Sequence, residues 1–574
     1  MTTEFSVWAP TAEHGVELVR GDVRTPMKRF DAGWWRSDVT PSAGERYAFS
    51  VDGSDPRPDP RSLAQPDGPH GPSAVVDLNA HDWTDASWSG TRLDGAVIYE
   101  LHVGTFTDRG TLDSAIDRLD HLVTLGISLV ELMPLADFPG DRGWGYDGVA
   151  PYAVHKTYGG AAALQRFVDA CHARGLGVCL DVVYNHLGPS GNYLPVFGPY
   201  FTDRYQTPWG WAVNLDGPGS EEVRAYFIDN ALMWLRDFHL DALRLDAVHA
   251  LMDERAVHFL EELSARVDAL SEELGRPLSL IAESNRNDPR TVAPRTTTGS
   301  GLGLHGQWAD DVHHGLHSAL TGEKQGYYAD FADPGALPKV LTTPFFHDGT
   351  YSSFRGRHHG RPVDPQVMPG WRFVASLQTH DQVGNRATGD RLAQLVTPGR
   401  LACGAALLLT SPYTPMLFMG EEWGASTPWQ YFTDHQDPDL AAAVSKGRRE
   451  EFADHGWSAE VPDPQAVSTF DASKLDWSEV HEGDHERLFE WYRLLIALRR
   501  AQPDLSDARL SASVVRREGA TVRVRRGAFQ IVCNLGTYDA ALPGTITAAF
   551  GAVTRDEAGM VTVGPDSVAI IKSA

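Results

Sequence analysis

From Phe5 to Val51 the chain runs in short stretches that alternate apolar and polar residues: Phe5-Ser6-Val7-Trp8, Val16-Glu17-Leu18-Val19, Tyr47-Ala48-Phe49-Ser50-Val51. Gly, Pro and Asp separate them, so the pattern predicts a small antiparallel β-sandwich. The proline-rich polar tract from Asp55 to Ser73 predicts a linker or an extended surface segment. At Val97 the rhythm changes to apolar runs alternating with longer helical patterns. The runs are Val97 to Val103, Leu129 to Leu135, Val178 to Tyr184, Ala242 to Val248, Leu278 to Ser284, Phe373 to Thr379 and Pro415 to Gly420. Strands that alternate with helices imply parallel pairing, and an eighth strand near Gln307 to Asp311 would close a barrel. After a long helix from Glu486 to Arg500, short alternating strands return (Val522 to Val524, Phe529 to Cys533, Val568 to Ile571), which predicts a C-terminal β domain.

The predicted fold class is therefore α/β. A (β/α)8 barrel over residues 93–502 is flanked by an N-terminal β-sandwich, residues 1–92, and a C-terminal β domain, residues 503–574. The first barrel helix shows its buried stripe in Leu112, Ile116, Leu119 and Val123, with Thr111 as N-cap and Gly126 as stop.

Charge and composition narrow the function. A chain of 574 residues with a formal net charge of −26, spread along its length, is poorly suited to nucleic acid or to an anionic membrane. No apolar run is long enough to span a bilayer, and no basic-then-apolar leader opens the chain. Cys171, Cys179, Cys403 and Cys533 form no close pair, which suits buried thiols in a reducing, cytoplasmic setting. There are 16 Trp. Many, including Trp144, Trp209, Trp211, Trp308, Trp423 and Trp429, stand beside Gly, Asp or Pro, where they are either core mass or flat faces for sugar rings.

The chemistry lies at strand ends. Arg244 and Asp246 are two apart in one strand and share a face. An isolated pair of this kind is as well explained by a scaffolding ion pair. However, Glu283 ends a second apolar strand, His380-Asp381 follows a third, and Asp181 to His186 adds another Asp and a terminal His. Carboxylates converging on one barrel end repel one another unless function requires them. Paired carboxylates in an aromatic-walled pocket are what glycoside cleavage needs, one acting as acid and one as nucleophile. Asp246 beside Arg244 is the better nucleophile. Glu283, leaving an apolar strand to face other carboxylates, is the better acid. His313, His314 and His317 lack an evident partner at ligand spacing, so packing or substrate contact is a better reading than a metal site.

Four ordered segments, Asp181-Val-Val-Tyr-Asn-His186, Leu243-Arg-Leu-Asp246, Ile281-Ala-Glu283 and Thr379-His-Asp-Gln-Val-Gly-Asn385, resemble the signature segments of the α-amylase superfamily, glycoside hydrolase family 13. The resemblance covers about Val97 to Arg500 and implies retaining cleavage of α-glucosidic bonds without a cofactor. By motif position it implies Asp246 as nucleophile, Glu283 as acid/base and Asp381 as transition-state stabiliser. Arg244, His186 and His380 would hold hydroxyls or the nucleophile, and Tyr146 would be a stacking platform. Relatives sometimes carry calcium near the position of Asn185. Within the superfamily, Val97 to Thr107, Trp144 to Gly160 and above all Gln307 to Phe331 resemble the maltooligosyltrehalose trehalohydrolases. That likeness implies maltooligosyltrehalose or a related α-glucan as substrate and a maltooligosyltrehalose synthase as functional partner. Asp310 and Asp311 follow the sixth strand, where they would either contact the trehalose end, Asp311 being the residue singled out for that role, or cap the helix that begins there. Glycogen branching or debranching enzymes share the first two segments, so a transferase is the alternative reading. A non-catalytic glucan-binding protein is a second alternative, and the intact carboxylate set weighs against it.

Overall fold

The computed structural model describes residues 4–296, 301–453 and 461–573. Residues 1–3 and 574, the outer ends of the two flanking domains as read from sequence, lie outside these. Eight parallel strands close into a barrel in chain order: β1 (Ile98–Leu101), β2 (Leu129–Leu132), β3 (Gly177–Val182), β4 (Ala242–Leu245), β5 (Ser279–Ala282), β6 (Gly306–Trp308), β7 (Phe373–Ser376) and β8 (Thr414–Phe418), with β8 pairing back onto β1. The strands stop two or three residues before the apolar runs do. Asp246 and Glu283 therefore stand just beyond β4 and β5, at the carboxyl end where barrel enzymes carry their chemistry.

Inside the barrel the pleat sorts residues by height. Ile98, Leu129, Cys179, Ala242, Ile281 and Val374 belong to a dry apolar layer. One step further along the pleat, Glu100, Glu131, Asp181 and Arg244 follow Ile98, Leu129, Cys179 and Ala242 on the same face. An apolar floor thus carries a charged layer, and the site is built on that layer.

Upstream of the barrel are two antiparallel sheets. One joins Ser6–Trp8, Trp34–Arg36 and Lys28–Arg29, and the other joins Val23–Pro26, Val16–Arg20, Arg46–Val51 and Ser73–Ala74. The proline-rich tract from Asp55 to Ser73 is neither a free linker nor an extended segment: it folds through turns closed at Asp59–Ser62, Gln65–Gly68 and Gly68–Gly71. Arg61 Nη1 donates to the Tyr152 hydroxyl at 2.9 Å and to Asp229 at 3.0 Å, and the Tyr226 hydroxyl donates to the Pro60 carbonyl at 2.8 Å. Proline-rich composition reports the absence of regular helix or strand, not whether side chains further along will pack the segment down. Beyond the helix Gly483–Ala501, a five-stranded and a three-stranded antiparallel sheet form the C-terminal β domain.

The first barrel helix differs from its predicted stripe. It is two helices, Leu112–Ile116 and Leu119–Leu125, interrupted at Asp117 and Arg118. The interruption changes the helical phase, so Leu122 and Leu125 are buried in the second helix while Val123 is 43% exposed. Thr111 is the N-cap, closing a capping box with Ser114. Gly126 is the C-cap at φ 97°, and a Cβ there would lie 2.8 Å from Ile496 Cγ2 of the last barrel helix. Only glycine meets both constraints. Gly126→Ala should therefore cost more than about 1 kcal/mol, read as a lower urea midpoint; an unchanged midpoint would show that the helix ends adjust freely.

The tryptophans divide. Trp144, Trp308, Trp423 and Trp429 are buried, so the loop-like neighbours in sequence do not mark them as sugar faces. Trp209 and Trp211, 47% and 60% exposed, are the two that present rings to solvent. They belong to a hairpin of Phe201–Thr207 and Gly210–Val213 beside the barrel mouth.

Candidate active site

The barrel mouth is organised by the Arg244 guanidinium. Its Nη1 donates to both Asp181 oxygens at 3.0 and 2.9 Å and to Asp246 Oδ1 at 2.7 Å, while Nη2 lies 3.9 Å from Glu283 Oε2. Arg244 is buried and lies over the face of Trp308, with Cζ 4.3 Å from the ring centroid. Burial disfavours its charge, but Asp181, Tyr146, Asp246 and Glu283 outweigh that and raise its pKa further. The side-chain amide of Asn185 donates to Asp246 Oδ2 at 2.8 Å. Each Asp246 oxygen thus faces a donor, an arrangement that fixes its direction.

Glu283 sits in a different environment. Burial pushes its carboxyl up to about 8; Arg244 opposes this, while Asp246, Asp310 and Asp381 add to it. Its Oε2 accepts the Ala247 amide at 2.5 Å. Ala247 holds a left-handed φ of 39°, rare for a residue with a Cβ, directly after Asp246. This strained residue couples the two carboxyl groups through the backbone.

A second cation serves the opposite wall. His380 Nδ1 and its backbone amide bind the two oxygens of Glu100 at 2.5 and 3.0 Å, and Nε2 lies 3.5 Å from Asp381 Oδ1. Burial works against the imidazolium, yet Glu100 and Asp381 push its pKa up to about 9. The short helix His380–Gly384 is set by a capping box between Thr379 and Gln382. It packs so closely that a Cβ on Gly384 would fall 2.0 Å from Trp144 Cζ2. Tyr146 joins the two halves. Its ring stacks on His380, and its hydroxyl lies 2.6 Å from Asp181 Oδ2 and 2.8 Å from His380 Nε2. Asp181, raised to about 6 mainly by burial against the pull of Arg244, closes the circuit.

His186 binds the Asn185 side-chain oxygen through Nδ1 at 2.5 Å and the Tyr146 carbonyl through Nε2 at 3.0 Å. Its ring stacks on the exposed Trp209, with centroids 4.5 Å apart and planes 5° from parallel. Asn185 is used within the mouth itself: its oxygen meets His186 and its amide donates to Asp246. Among the described residues, no group of three or more His, Cys, Asp or Glu is placed to hold a metal. His313 and His317 are occupied likewise, by Leu377 O and the Tyr328 hydroxyl and by Glu323.

Asp246, Glu283, Asp381, Arg244, Tyr146, His186 and His380 thus converge. Asp311 does not join them. Its Oδ2 accepts from Asn287 Nδ2 at 2.9 Å and from the Phe346 and His347 amides at 2.8 and 2.9 Å, so it anchors a neighbouring loop. Its neighbour Asp310 is the one that faces Asp381 and Arg244, with His314 beside it. The two cannot be told apart by spacing, since helix Asp310–Thr321 begins there and turns consecutive side chains about 100° apart. Glu100 also escapes the sequence reading, and Asn185, named there only for calcium, holds Asp246. The available signal for Glu100 is a lone carboxylate inside an apolar strand, Ile98-Tyr-Glu-Leu101.

Chemically, the mouth offers one carboxylate between donors, one carboxyl that keeps its proton at neutral pH, and a third acid, Asp381, whose side chain is 45% exposed. A general acid must be protonated to act, so kcat/KM should fall as pH rises through about 8, where Glu283 loses its proton. A profile level from pH 7 to 10 would remove Glu283 from the acid role.

The model for the alpha amylase catalytic domain matches residues 74–196. Two relatives named malto-oligosyltrehalose trehalohydrolase align over nearly the whole chain. The one from Arthrobacter ramosus is 54% identical, covering 99% of this chain and 100% of its own. The one from Rhizobium sp. (strain M-11) is 52% identical, covering 99% and 97%. A solved structure from Salmonella typhimurium, provisionally named alpha amylase, superposes with a TM-score of 0.90 at 38% identity, covering 100% of this chain and 97% of that one.

Proposed function

The chain belongs to the malto-oligosyltrehalose trehalohydrolase family, and from that membership and the geometry of the barrel mouth we infer its reaction. It is a glycosidase that hydrolyses the α-1,4-glucosidic bond next to the terminal trehalose unit of maltooligosyltrehalose and releases trehalose. The observation that carries the mechanism is the single guanidinium shared by Asp246 and Glu283.

In this reading Asp246 attacks the anomeric carbon while Glu283 gives its proton to the departing trehalose oxygen. A covalent glycosyl–Asp246 intermediate forms, and Glu283, now ionised, takes a proton from the water that releases it. Arg244 and Asn185 aim Asp246, and Asp381, steadied by His380, faces the charge that develops at the sugar. Tyr146, His186 and the outer face of Trp209 line the ring. On the leaving-group side Asp310, not Asp311, is the carboxylate available to a trehalose hydroxyl, with Tyr327 and Phe354, 38% and 57% exposed, as apolar surface nearby. We assign residues 1–92, 93–502 and 503–574 to the sandwich, barrel and C-terminal domain, with a maltooligosyltrehalose synthase supplying the substrate. A reducing, cytoplasmic location is supported by four buried free thiols, of which Cys533 Sγ reaches the Cys403 carbonyl oxygen at 3.6 Å without a disulfide.

Asp246→Asn and Glu283→Gln should each lower kcat by at least about a hundredfold with the fold intact, and the double variant should be little worse than the worse single, because the two act as a unit. Near-full activity in either single variant removes that residue from the mechanism. Substrate choice is tested with trehalose-capped and plain maltooligosaccharides of equal length. Capped chains should show much the higher kcat/KM and release trehalose, and Asp310→Asn should narrow the ratio. Equal cleavage of both, or new α-1,6 branches, would favour the branching-enzyme reading.

A further inference from the structure

Beneath the residues assigned above lies an acid that the proposed mechanism does not use. Glu131 on β2 is the Cα partner of Glu100 on β1 in a parallel pair, and of Cys179 on β3 at its other side. Paired positions of adjacent strands stand about 4.8 Å apart with side chains on the same face, so the two carboxyl groups are neighbours inside the barrel. Both are 1% exposed. Their hydrogen bonding is unequal. Glu100 uses both oxygens on His380, whereas neither Glu131 oxygen has a hydrogen-bond donor among the described residues.

A buried carboxylate without donors or a cation of its own is not stable as the anion; the same group as the neutral acid carries an O–H and can donate. The β1–β2 register places the Glu100 carboxylate beside it as such an acceptor. The groups that face Glu131 are Glu100, Asp181, Arg244 and His380, and Cys179 stands beside it. Arg244 and His380 are already engaged by Asp181, Asp246, Glu100 and Asp381. Their pull on Glu131 is outweighed by burial and by Glu100.

We propose that Glu131 is a positioning residue that works as a neutral acid, donating its proton to Glu100 and so keeping Glu100 the weaker base in its short bond to His380. This rests on the reading of His380 and Asp381 given above. With the donor in place, the proton between Glu100 and His380 stays on the imidazole, and the imidazolium keeps its hold on Tyr146 and Asp381. Without it, Glu100 becomes more basic and draws that proton, leaving a neutral ring against Asp381. The direction agrees with the charges: burial first, then Glu100, push Glu131 up to about 8.

The sign of the stability effect follows. In the unfolded chain Glu131 ionises near 4.5 and in the folded chain near 8, so the folded state holds the extra proton between these values and stability falls as pH rises through that window. Glutamine retains a donor and cannot ionise. Leucine retains volume and has no donor.

Glu131→Gln and Glu131→Leu should be compared with the parent chain for kcat, KM and melting temperature from pH 4.5 to 9. Expected are a Gln variant within about threefold of the parent in kcat, with a melting temperature that falls less between pH 5 and 8. The Leu variant should lose at least tenfold in kcat with little change in KM. Equal losses in Gln and Leu would overturn the proposal, because they would mean the ionised carboxylate is needed. Parent-like kcat in Leu would overturn it as well. If Leu does not fold, the Gln data decide: a melting curve with the parent's pH dependence refutes a neutral Glu131. Failure of the catalytic reading is separately visible, since it would show in the Asp246 and Glu283 variants while leaving this pH dependence in place.

Discussion

Everything at the barrel mouth depends on one buried guanidinium. Asp181, Asp246 and Glu283 stand at the ends of three neighbouring strands, and without a cation among them their mutual repulsion in a dry interior would exclude the arrangement. Arg244 compensates two of them directly and the third at longer range. Removing one partner from a buried ion pair typically costs about 3–5 kcal/mol, and here it would strand two carboxylates. The same contact that makes the cluster possible also gives its members different characters: Asp246 takes direct bonds from Arg244 and Asn185, while Glu283 remains far enough away to keep its proton.

The opposite wall repeats the device with other residues. Glu100, His380 and Asp381 alternate in charge, and Tyr146 ties this row to Asp181 through a single hydroxyl. Positions are held by backbone constraints as much as by charge. Ala247 is strained between Asp246 and Glu283, and Gly384 brings its helix against Trp144 where any larger residue would push it away. Such a site is preorganised: its dipoles need not turn as the sugar develops charge.

Much of this was legible in the sequence, for physical reasons that also set its limits. Continuous apolar runs alternating with helical patterns mark a barrel because burial on both faces demands apolar strands, and the carboxylates at their ends stand out against that background. Strand ends were overshot because apolar residues continue past the last ladder bond at β4 and β5. The stripe through Val123 failed because a break at Asp117 and Arg118 resets helical phase, and nothing in the apolar spacing records it. Asp310 and Asp311 part at a helix start, where one residue of offset turns Asp311 to a neighbouring loop. Trp423 and Trp429 are core although their neighbours are loop formers, since composition reports backbone and not depth. Glu100 and Glu131 were visible as lone acids in apolar strands, but their meaning rests on a cross-strand register that only the closed barrel supplies.

The central claim is that Asp246, aimed by Arg244, becomes covalently attached to the sugar. Incubating the Glu283→Gln variant with an α-maltosyl fluoride tests it directly, because fluoride leaves without an acid while the second step still lacks its base. Mass spectrometry of proteolytic fragments should then find a maltosyl adduct on the peptide that contains Asp246, and the adduct should be absent in Asp246→Asn. An adduct on a different residue, or turnover to the β-anomer with no adduct formed, would contradict the account.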